Sequence, residues 1–295
     1  MGKMTVTVRG NVKAWECDVM EHMNVQHYLA RSAETLGQLR VLLGLPAGSV
    51  LRHRRERVLF LRELRNGASF EITTGILALD RDGLTTFNEM RNIDSGAPAA
   101  RFIIDLGLID TAGAPLPLPE PCPAAAEPLR IASPADLRPP AELRQPAARD
   151  WATADDLGLP DTARGTIEPW ECDARGELHP RFFMARCSDA VTHLQHGYGL
   201  TPDYRKARGL GSAALEYQIE FHRPLRAGDA IIARSGLREM EGKIQRFFHW
   251  FMDAASRETV ATVETAGTLF DFTSRRSVPI PDDLRQMAAP LIQRF

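Results

Sequence analysis

Asp18, His22 and Asn24 lie within seven residues of one another, immediately ahead of an apolar stripe with helical spacing. A helix that starts there presents unpaired backbone N–H groups and the positive end of its macrodipole, a combination that can polarise a carbonyl oxygen. Asp18, a few residues upstream on the same turn, can act as base or nucleophile, with a water held between its carboxylate and that carbonyl. His22 can orient Asp18 or donate towards a leaving group, and Asn24 can cap the helix or bind substrate. A turn-forming or capping role is the competing reading for each of the three. A second cluster, Asp173, Glu177 and His179, also falls within seven residues. Two carboxylates that close can raise one another's pKa and work as an acid/base pair, the alternative being a solvated turn.

Other chemistries find less support. Cys17, Cys122, Cys172 and Cys187 form no C-x-x-C pair and no zinc-type spacing with histidine, so they read as reduced, mostly buried thiols, and no metal site is expected. Trp15 and Trp170 read as packing residues. No Gly-rich phosphate loop, dinucleotide fingerprint or serine nucleophile elbow is present. With 36 Lys+Arg against 38 Asp+Glu the chain has no global basic field, which argues against nucleic acid and anionic membrane as partners. The N-terminal residues lack the apolar core of a signal peptide and no stretch is long enough to span a bilayer, so a cytoplasmic protein is expected.

The elements that position these residues occur twice. Trp15-Glu-Cys-Asp18 recurs as Trp170-Glu-Cys-Asp173, Phe60-Leu-Arg-Glu-Leu-Arg-Asn-Gly67 as Phe221-His-Arg-Pro-Leu-Arg-Ala-Gly228, and Leu108-Ile-Asp110 as Leu269-Phe-Asp271, in the same order. The register implies a duplicated domain of about 110 residues. Leu29, Ala33, Leu36, Leu39 and Leu43 mark one helical face, ended by Gly44; Phe183, Cys187, Ala190, Val191, Leu194 and Tyr198 repeat it. Strands are expected at 69–78, 84–91 and 100–109, then at 215–222, 230–235, 243–253 and 259–272, with a hairpin turn at Asp80–Gly83. Residues 111–160 hold 11 of the 20 prolines, which excludes long regular elements there and marks a linker able to cross a whole domain. The divisions are 1–112 for the first repeat, 113–162 for the Pro/Ala-rich linker, 163–279 for the second repeat and 280–295 for a tail. One long helix and several antiparallel strands per repeat define an α+β class.

The motif Trp15-x-x-Asp18-x-x-x-His22-Met23-Asn24, with Tyr28 and a long helix after it, resembles the hotdog-fold acyl-CoA thioesterases of the 4-hydroxybenzoyl-CoA thioesterase type. So do Phe60–Glu71 and Phe87-Asn-Glu-Met90, and in the second half Trp170-x-x-Asp173 and Phe221–Asp229. The resemblance covers most of residues 5–110 and about 165–275. It implies a tandem (double) hotdog, each repeat a long helix wrapped by an antiparallel sheet. In that family an acidic residue near the start of the helix attacks the thioester or activates water, a position held here by Asp18 and Asp173. Glu21 stands where the family often has Gly, and the second repeat keeps Gly176 but replaces His and Asn by Glu177 and His179. The two sites are therefore expected to be inequivalent, the first being the stronger catalytic candidate.

The resemblance implies hydrolysis of acyl-CoA to acid and CoA with no cofactor other than the CoA of the substrate. CoA carries several phosphate charges, so Arg54, Arg55 and Arg57 in the run Arg52–Arg57, and Arg205 and Arg208 in its rough counterpart, are candidate substrate ligands, solvated loops being the alternative. Hotdog proteins associate further, so a homo-oligomer is expected. A hotdog acyl-CoA hydratase or dehydratase, and a non-catalytic acyl-CoA-binding module, stand as alternative functions, since fold alone does not decide between them.

Overall fold

The computed structural model describes residues 2–18, 20–120, 122–141 and 145–295. It divides into two compact units, Met1–Glu142 and Leu143–Phe295. In unit 1 the elements are β1 (Thr5–Asn11), α1 (Val25–Leu42), β2 (Val50–Phe60), β3 (Ser69–Leu79), β4 (Leu84–Asn92), β5 (Pro98–Ile109), the two-residue β6 (Pro115–Leu116) and the short α2 (Cys122–Ala126). Unit 2 holds α3 (Trp151–Asp156), β7 (Asp161–Thr166), α4 (Pro180–Gly197), α5 (Pro202–Arg208), β8 (Leu210–Phe221), β9 (Ala230–Glu241), β10 (Ile244–Asp253), β11 (Thr259–Asp271), β12 (Ser277–Val278) and α6 (Asp282–Ala288). The strand order β1-β3-β4-β5-β2 of unit 1 is matched by β7-β9-β10-β11-β8 in unit 2. Each unit is thus a long helix against an antiparallel sheet, the hotdog architecture twice over.

Besides the two-residue β6 and β12, three strands were not expected from the sequence: β1, β7 and β2. β2 carries Arg52, Arg54, Arg55 and Arg57 and reads as a charged loop, yet pairs with β5 from Val50↔Ile109 to Phe60↔Ala100. A bulge between His53 and Arg55 breaks its period-two alternation, which is why no strand pattern shows. The Asp80–Gly83 turn forms as expected, with Asp80 N–H donating to Gly83 O at 3.0 Å.

The helices are where the periodicity put them, but their buried faces are more polar than the apolar positions suggest. In α1 the buried residues are His27, Tyr28, Leu29, Ser32, Thr35 and Leu39, and Ala33 is only half-buried. The two sheets also carry one polar ladder in equivalent places. Thr7 Oγ1, Thr74 Oγ1 and Asn88 Oδ1 are linked at 2.8 and 2.6 Å in unit 1. In unit 2 the same positions hold Thr162, Ser235 and His249, linked at 2.5 and 2.6 Å. Both ladders are fully buried, so their hydrogen bonds offset desolvation that would otherwise cost a few kcal/mol per group, roughly 1–3 by mutational measures.

The proline-rich linker is a strap rather than a loose tether. Its first part lies along unit 1: Ile131 N–H donates to Ile76 O at 3.0 Å, and Asp136 accepts from Arg101 at 2.9 Å. Its second part lies along unit 2, where Arg149 bonds Glu220 at 2.7 Å and α3 packs with Phe248, Trp250 and Met252. Residues 280–295 are likewise no free tail, since Ile280, Leu284 and Ala288 join the core around Leu194, Tyr198 and Leu237. The expectation that Trp15 and Trp170 are packing residues is corrected, for they are 78% and 74% exposed. Each sits on a one-turn 3-10 helix (Ala14–Glu16 and Pro169–Glu171) whose glutamate points inward instead. Cys122 and Cys187 are buried, Cys17 and Cys172 only half-buried.

Candidate active site

In unit 1 the turn ahead of α1 is built around Glu16. Its carboxylate accepts from Lys13 N–H at 2.8 Å and from Arg31 Nη2 at 2.7 Å, and its backbone carbonyl accepts from Asn24 N–H at 2.8 Å. Met23 N–H donates to Leu64 O at 2.7 Å, and Leu64 N–H donates to the Tyr28 hydroxyl at 3.2 Å, which stitches the turn to the segment after β2. The Tyr28 ring packs edge-on against Phe60 at 5.3 Å. Burial pushes the Tyr28 phenol far above its ordinary pKa, so it stays neutral.

On this frame Asp18, His22 and Asn24 converge. Asp18 Oδ1 accepts from Met20 N–H at 2.8 Å, and its Oδ2 lies 3.5 Å from Asn24 Nδ2. His22 Nδ1 is 3.8 Å from Asp18 Oδ1, while its Nε2 is 3.6 Å from Glu63 Oε1. Asn24 is the N-cap of α1, its Oδ1 accepting from Gln26 N–H at 3.1 Å. The capping reading of Asn24 holds, and its two amide atoms divide the work: the oxygen caps the helix while the nitrogen faces Asp18. Among the described residues no Lys or Arg pairs with Asp18. Glu21, in place of the usual glycine, has φ +62°, and Gly176 at the equivalent place has φ +73°.

Unit 2 builds the same turn with different company. Glu171 replaces Glu16 and takes Arg186 through two bonds of 2.7 and 2.8 Å, which hold its carboxyl below the usual range against the opposing effect of burial. Asp173, Glu177 and His179 stand where Asp18, His22 and Asn24 do. Arg175 lies between the two acids, with Nη2 2.9 Å from Asp173 Oδ2 and 3.0 Å from Glu177 Oε2. Arg226 adds a second cation 3.5 Å from Glu177. The acids are thus bridged by a guanidinium instead of facing one another. His179 caps α4, its Nδ1 accepting from Arg181 N–H at 3.2 Å, and burial pushes its pKa down, keeping it neutral in that role.

The candidate arginines are scattered. Arg54 donates to Asp82 O at 2.8 Å, Arg55 pairs with Asp105 at 2.9 Å, and Arg57 donates to the strap at Arg138 O, 2.6 Å away. Arg205 is half-buried beside Gln195 and Leu200, and Arg208 stacks on Tyr204 and pairs with Asp283 at 2.8 Å. α5, which carries this second pair, is an insertion of unit 2, so the two groups of arginines are not structural counterparts.

Two acids were passed over in the sequence. Glu63 flanks His22; the repeat alignment held a signal for it, because Pro224 stands in its place in the second copy. Glu56 was hidden inside the basic run, yet its side chain points inward and is 1% exposed. Its Oε1 accepts from Ser32 Oγ of α1 at 2.8 Å, and burial pushes its pKa up to about 7.

Fold and site together define a two-repeat hotdog protein with one repeated acid-bearing turn at the head of each long helix. The family model described as the thioesterase-like superfamily matches residues 12–129 and again 167–287, and the chain belongs to that superfamily. Among solved structures, an oleoyl thioesterase from Lactobacillus plantarum aligns with a TM-score of 0.68 at 10% identity, over 90% of this chain and 96% of that one. An acyl-ACP thioesterase from Bacteroides thetaiotaomicron gives 0.64 at 10% identity over 90% and 97%. The 12:0-ACP thioesterase from Umbellularia californica gives 0.63 at 12% identity over 89% and 93%. At these identities the likeness is one of fold. A comparison with curated proteins finds no match.

Proposed function

We propose that the chain is a thioester hydrolase acting on acyl-CoA, with its working site at the unit 1 turn. The observation that carries this reading is the contrast between equivalent acids: among the described residues no Lys or Arg pairs with Asp18, whereas Asp173 is bound by Arg175 at 2.9 Å. A carboxylate locked to a guanidinium is a poor base and a poor nucleophile, because its negative charge is already stabilised. Asp173, Glu177 and His179 are then structural members of a turn whose catalytic role has lapsed.

In the working turn the thioester carbonyl lies at the N-terminus of α1. Asn24 takes up the Gln26 N–H with its side chain and the His27 N–H with its backbone carbonyl, leaving Val25 N–H to polarise the substrate oxygen. Asp18 removes a proton from a water that attacks the carbonyl carbon. The carbon–sulfur bond then breaks, the thiolate leaves and takes up a proton as CoA, and the acyl group departs as the free acid. If Asp18 itself attacks, the intermediate is an acyl–aspartyl anhydride that water opens in a second step. His22, between Asp18 and Glu63, holds Asp18 in place or carries the proton to sulfur. The chemistry is complete without a metal.

Thiol release from a panel of acyl-CoAs and acyl carrier protein thioesters tests the reading. Asp18→Asn is expected to lose at least about a hundredfold in kcat, the scale of one general base, and Asp173→Asn to stay within a few-fold of wild type. Comparable loss in both variants, or no thiol release from any thioester, would overturn it.

A further inference from the structure

A cavity of about 150 Å³ opens in unit 2 between α4 and the β7 edge of its sheet. The buried side chains of Ile231, Ala233 and Phe251 form its floor, Ala163 and Gly165 of β7 one wall, and Arg164, Arg186 and Asp189 stand around its mouth. Arg164, Gly165 and Asp189 are exposed, so the cavity is reachable from solvent. In unit 1 larger side chains stand at these places. The strand pairs Gly10↔Phe70 and Val8↔Ile72 correspond to Gly165↔Ile231 and Ala163↔Ala233, so Phe, Val and Ile have become Ile, Ala and Ala. Phe251 in place of Met90 returns only part of that volume. The Phe70 ring lies over Gly10, where a Cβ would meet ring carbon Cζ at 2.9 Å, whereas a Cβ on Gly165 would meet nothing within 4 Å.

The charged groups around the opening differ as well. In unit 1 the Arg31 guanidinium covers the Phe70 ring at 5.7 Å and divides its nitrogens between Glu16 and Glu34, each at 2.7 Å. In unit 2 Arg186, at the equivalent place, directs both to Glu171 at 2.7 and 2.8 Å, with a further bond to Thr166 O at 3.1 Å. Asp189 takes the place of Glu34 but is one methylene shorter. Among the described residues it accepts no hydrogen bond and forms no ion pair, and Arg186 and His193 act on it only at a distance. Arg164 is taken by Asp161. The cavity thus has an apolar interior where unit 1 has a ring, a fixed guanidinium beside it, and at its mouth a carboxylate without the cation that its counterpart has.

We propose that this cavity binds a monocyclic arylalkylamine, the ring taking the place that Phe70 fills in unit 1 and the ammonium bonding the Asp189 carboxylate. The size agrees, since a protein cavity of about 150 Å³ accommodates benzene. Contact with Ile231, Ala233 and Phe251 removes the ring from water, and Arg186 meets its face as Arg31 meets Phe70. A charge-assisted hydrogen bond at the mouth then orients the ligand and supplies the cation that Asp189 lacks. An anionic aromatic is disfavoured, because both arginines are already paired and Asp189 repels it. The site lies within unit 2 and does not depend on the thioesterase reading.

Calorimetric titration of the full chain with 2-phenylethylamine, and with 2-phenylethanol as its uncharged counterpart, tests the site, and amide chemical shifts locate it. Wild type is expected to bind the amine saturably with a Kd of about 1 mM or tighter. The amine should bind at least about threefold tighter than the alcohol, with the largest shifts at the Gly165 and Asp189 amides. Ile231→Phe gives unit 2 the residue that unit 1 carries and is expected to weaken both ligands at least about tenfold by occupying the ring's place. Asp189→Asn should keep the affinity for the alcohol and lose the preference for the amine. No saturation up to about 20 mM amine, shifts confined to other residues, or an Ile231→Phe titration identical to wild type overturns the proposal. Equal affinity of wild type for the two ligands overturns it too. Should Ile231→Phe fail to fold, Ala233→Ile, again the unit 1 residue, fills the cavity instead and is read in the same way.

Discussion

Glu21 occupies a left-handed backbone conformation that glycine fills at the equivalent position of the second turn. A side chain with a Cβ pays roughly 1 kcal/mol there, so Glu21→Gly is expected to raise stability by about that amount, read as a higher urea midpoint at unchanged slope. The conformation lies between Asp18 and His22, whose backbones close the turn through Asp18 N–H to His22 O at 3.1 Å and Glu21 N–H to Asp18 O at 2.9 Å. If the strain serves to hold Asp18, the same variant loses activity as it gains stability. At this scale the sequence was informative wherever the repeat doubled the signal. Asp18, His22 and Asn24 do meet, and the repeat also exposed their replacements at 173, 177 and 179. It was silent on Arg175, because an acid and its neutralising arginine two residues later look like any surface pair until a turn folds them together. Glu56 was illegible for another reason: four arginines surround it, and only strand geometry turns one side chain of that run inward.

Elements show the same division. α1 and α4 were readable because a period near four survives sparse apolar marking, and most strands because β-branched runs end at Gly or Asp turns. β2 was lost to its bulge and its arginines, and β1 to the bulge between Val6 and Val8 that breaks its alternation. The strap could be predicted as proline-rich but not as packed, since its contacts are with residues far away in sequence. One close approach tests that packing. Gly75 of β3 has no side chain, and a Cβ built there would lie 2.6 Å from Ile131 Cδ1 of the strap. Gly75→Ala is expected to destabilise by about 1–3 kcal/mol through overpacking. Combined with Ile131→Ala it should cost at least about 0.5 kcal/mol less than the two single changes added together, the mark of residues in contact. Additive costs in urea melts would show that the strap does not bear on β3.

For the molecule as a whole, the two repeats have placed opposite titratable groups at fully buried positions, and its stability must record both. His249 is held down to about pKa 3 by burial, from 6.5. Between those values the unfolded chain binds the proton that the folded one refuses, so stability falls as pH drops from 6.5 towards 3. Glu56 is pushed up to about 7 by burial, from 4.5. Across that window the folded chain holds the proton longer, so this contribution is intact below pH 4.5 and is lost as pH rises through 7, on the order of 3 kcal/mol in all. The two slopes oppose each other between pH 4.5 and 6.5 and partly cancel there. Single substitutions separate them. Asn stands at the equivalent position of the first ladder, so His249→Asn is compatible with the architecture and is expected to reduce the acid-side loss between pH 6.5 and 4. Glu56→Gln should leave stability at pH 4 nearly unchanged and raise it at pH 8. Urea denaturation at pH 4, 6 and 8 reads both effects, and a Glu56→Gln curve parallel to wild type throughout would mean that Glu56 does not change protonation on folding.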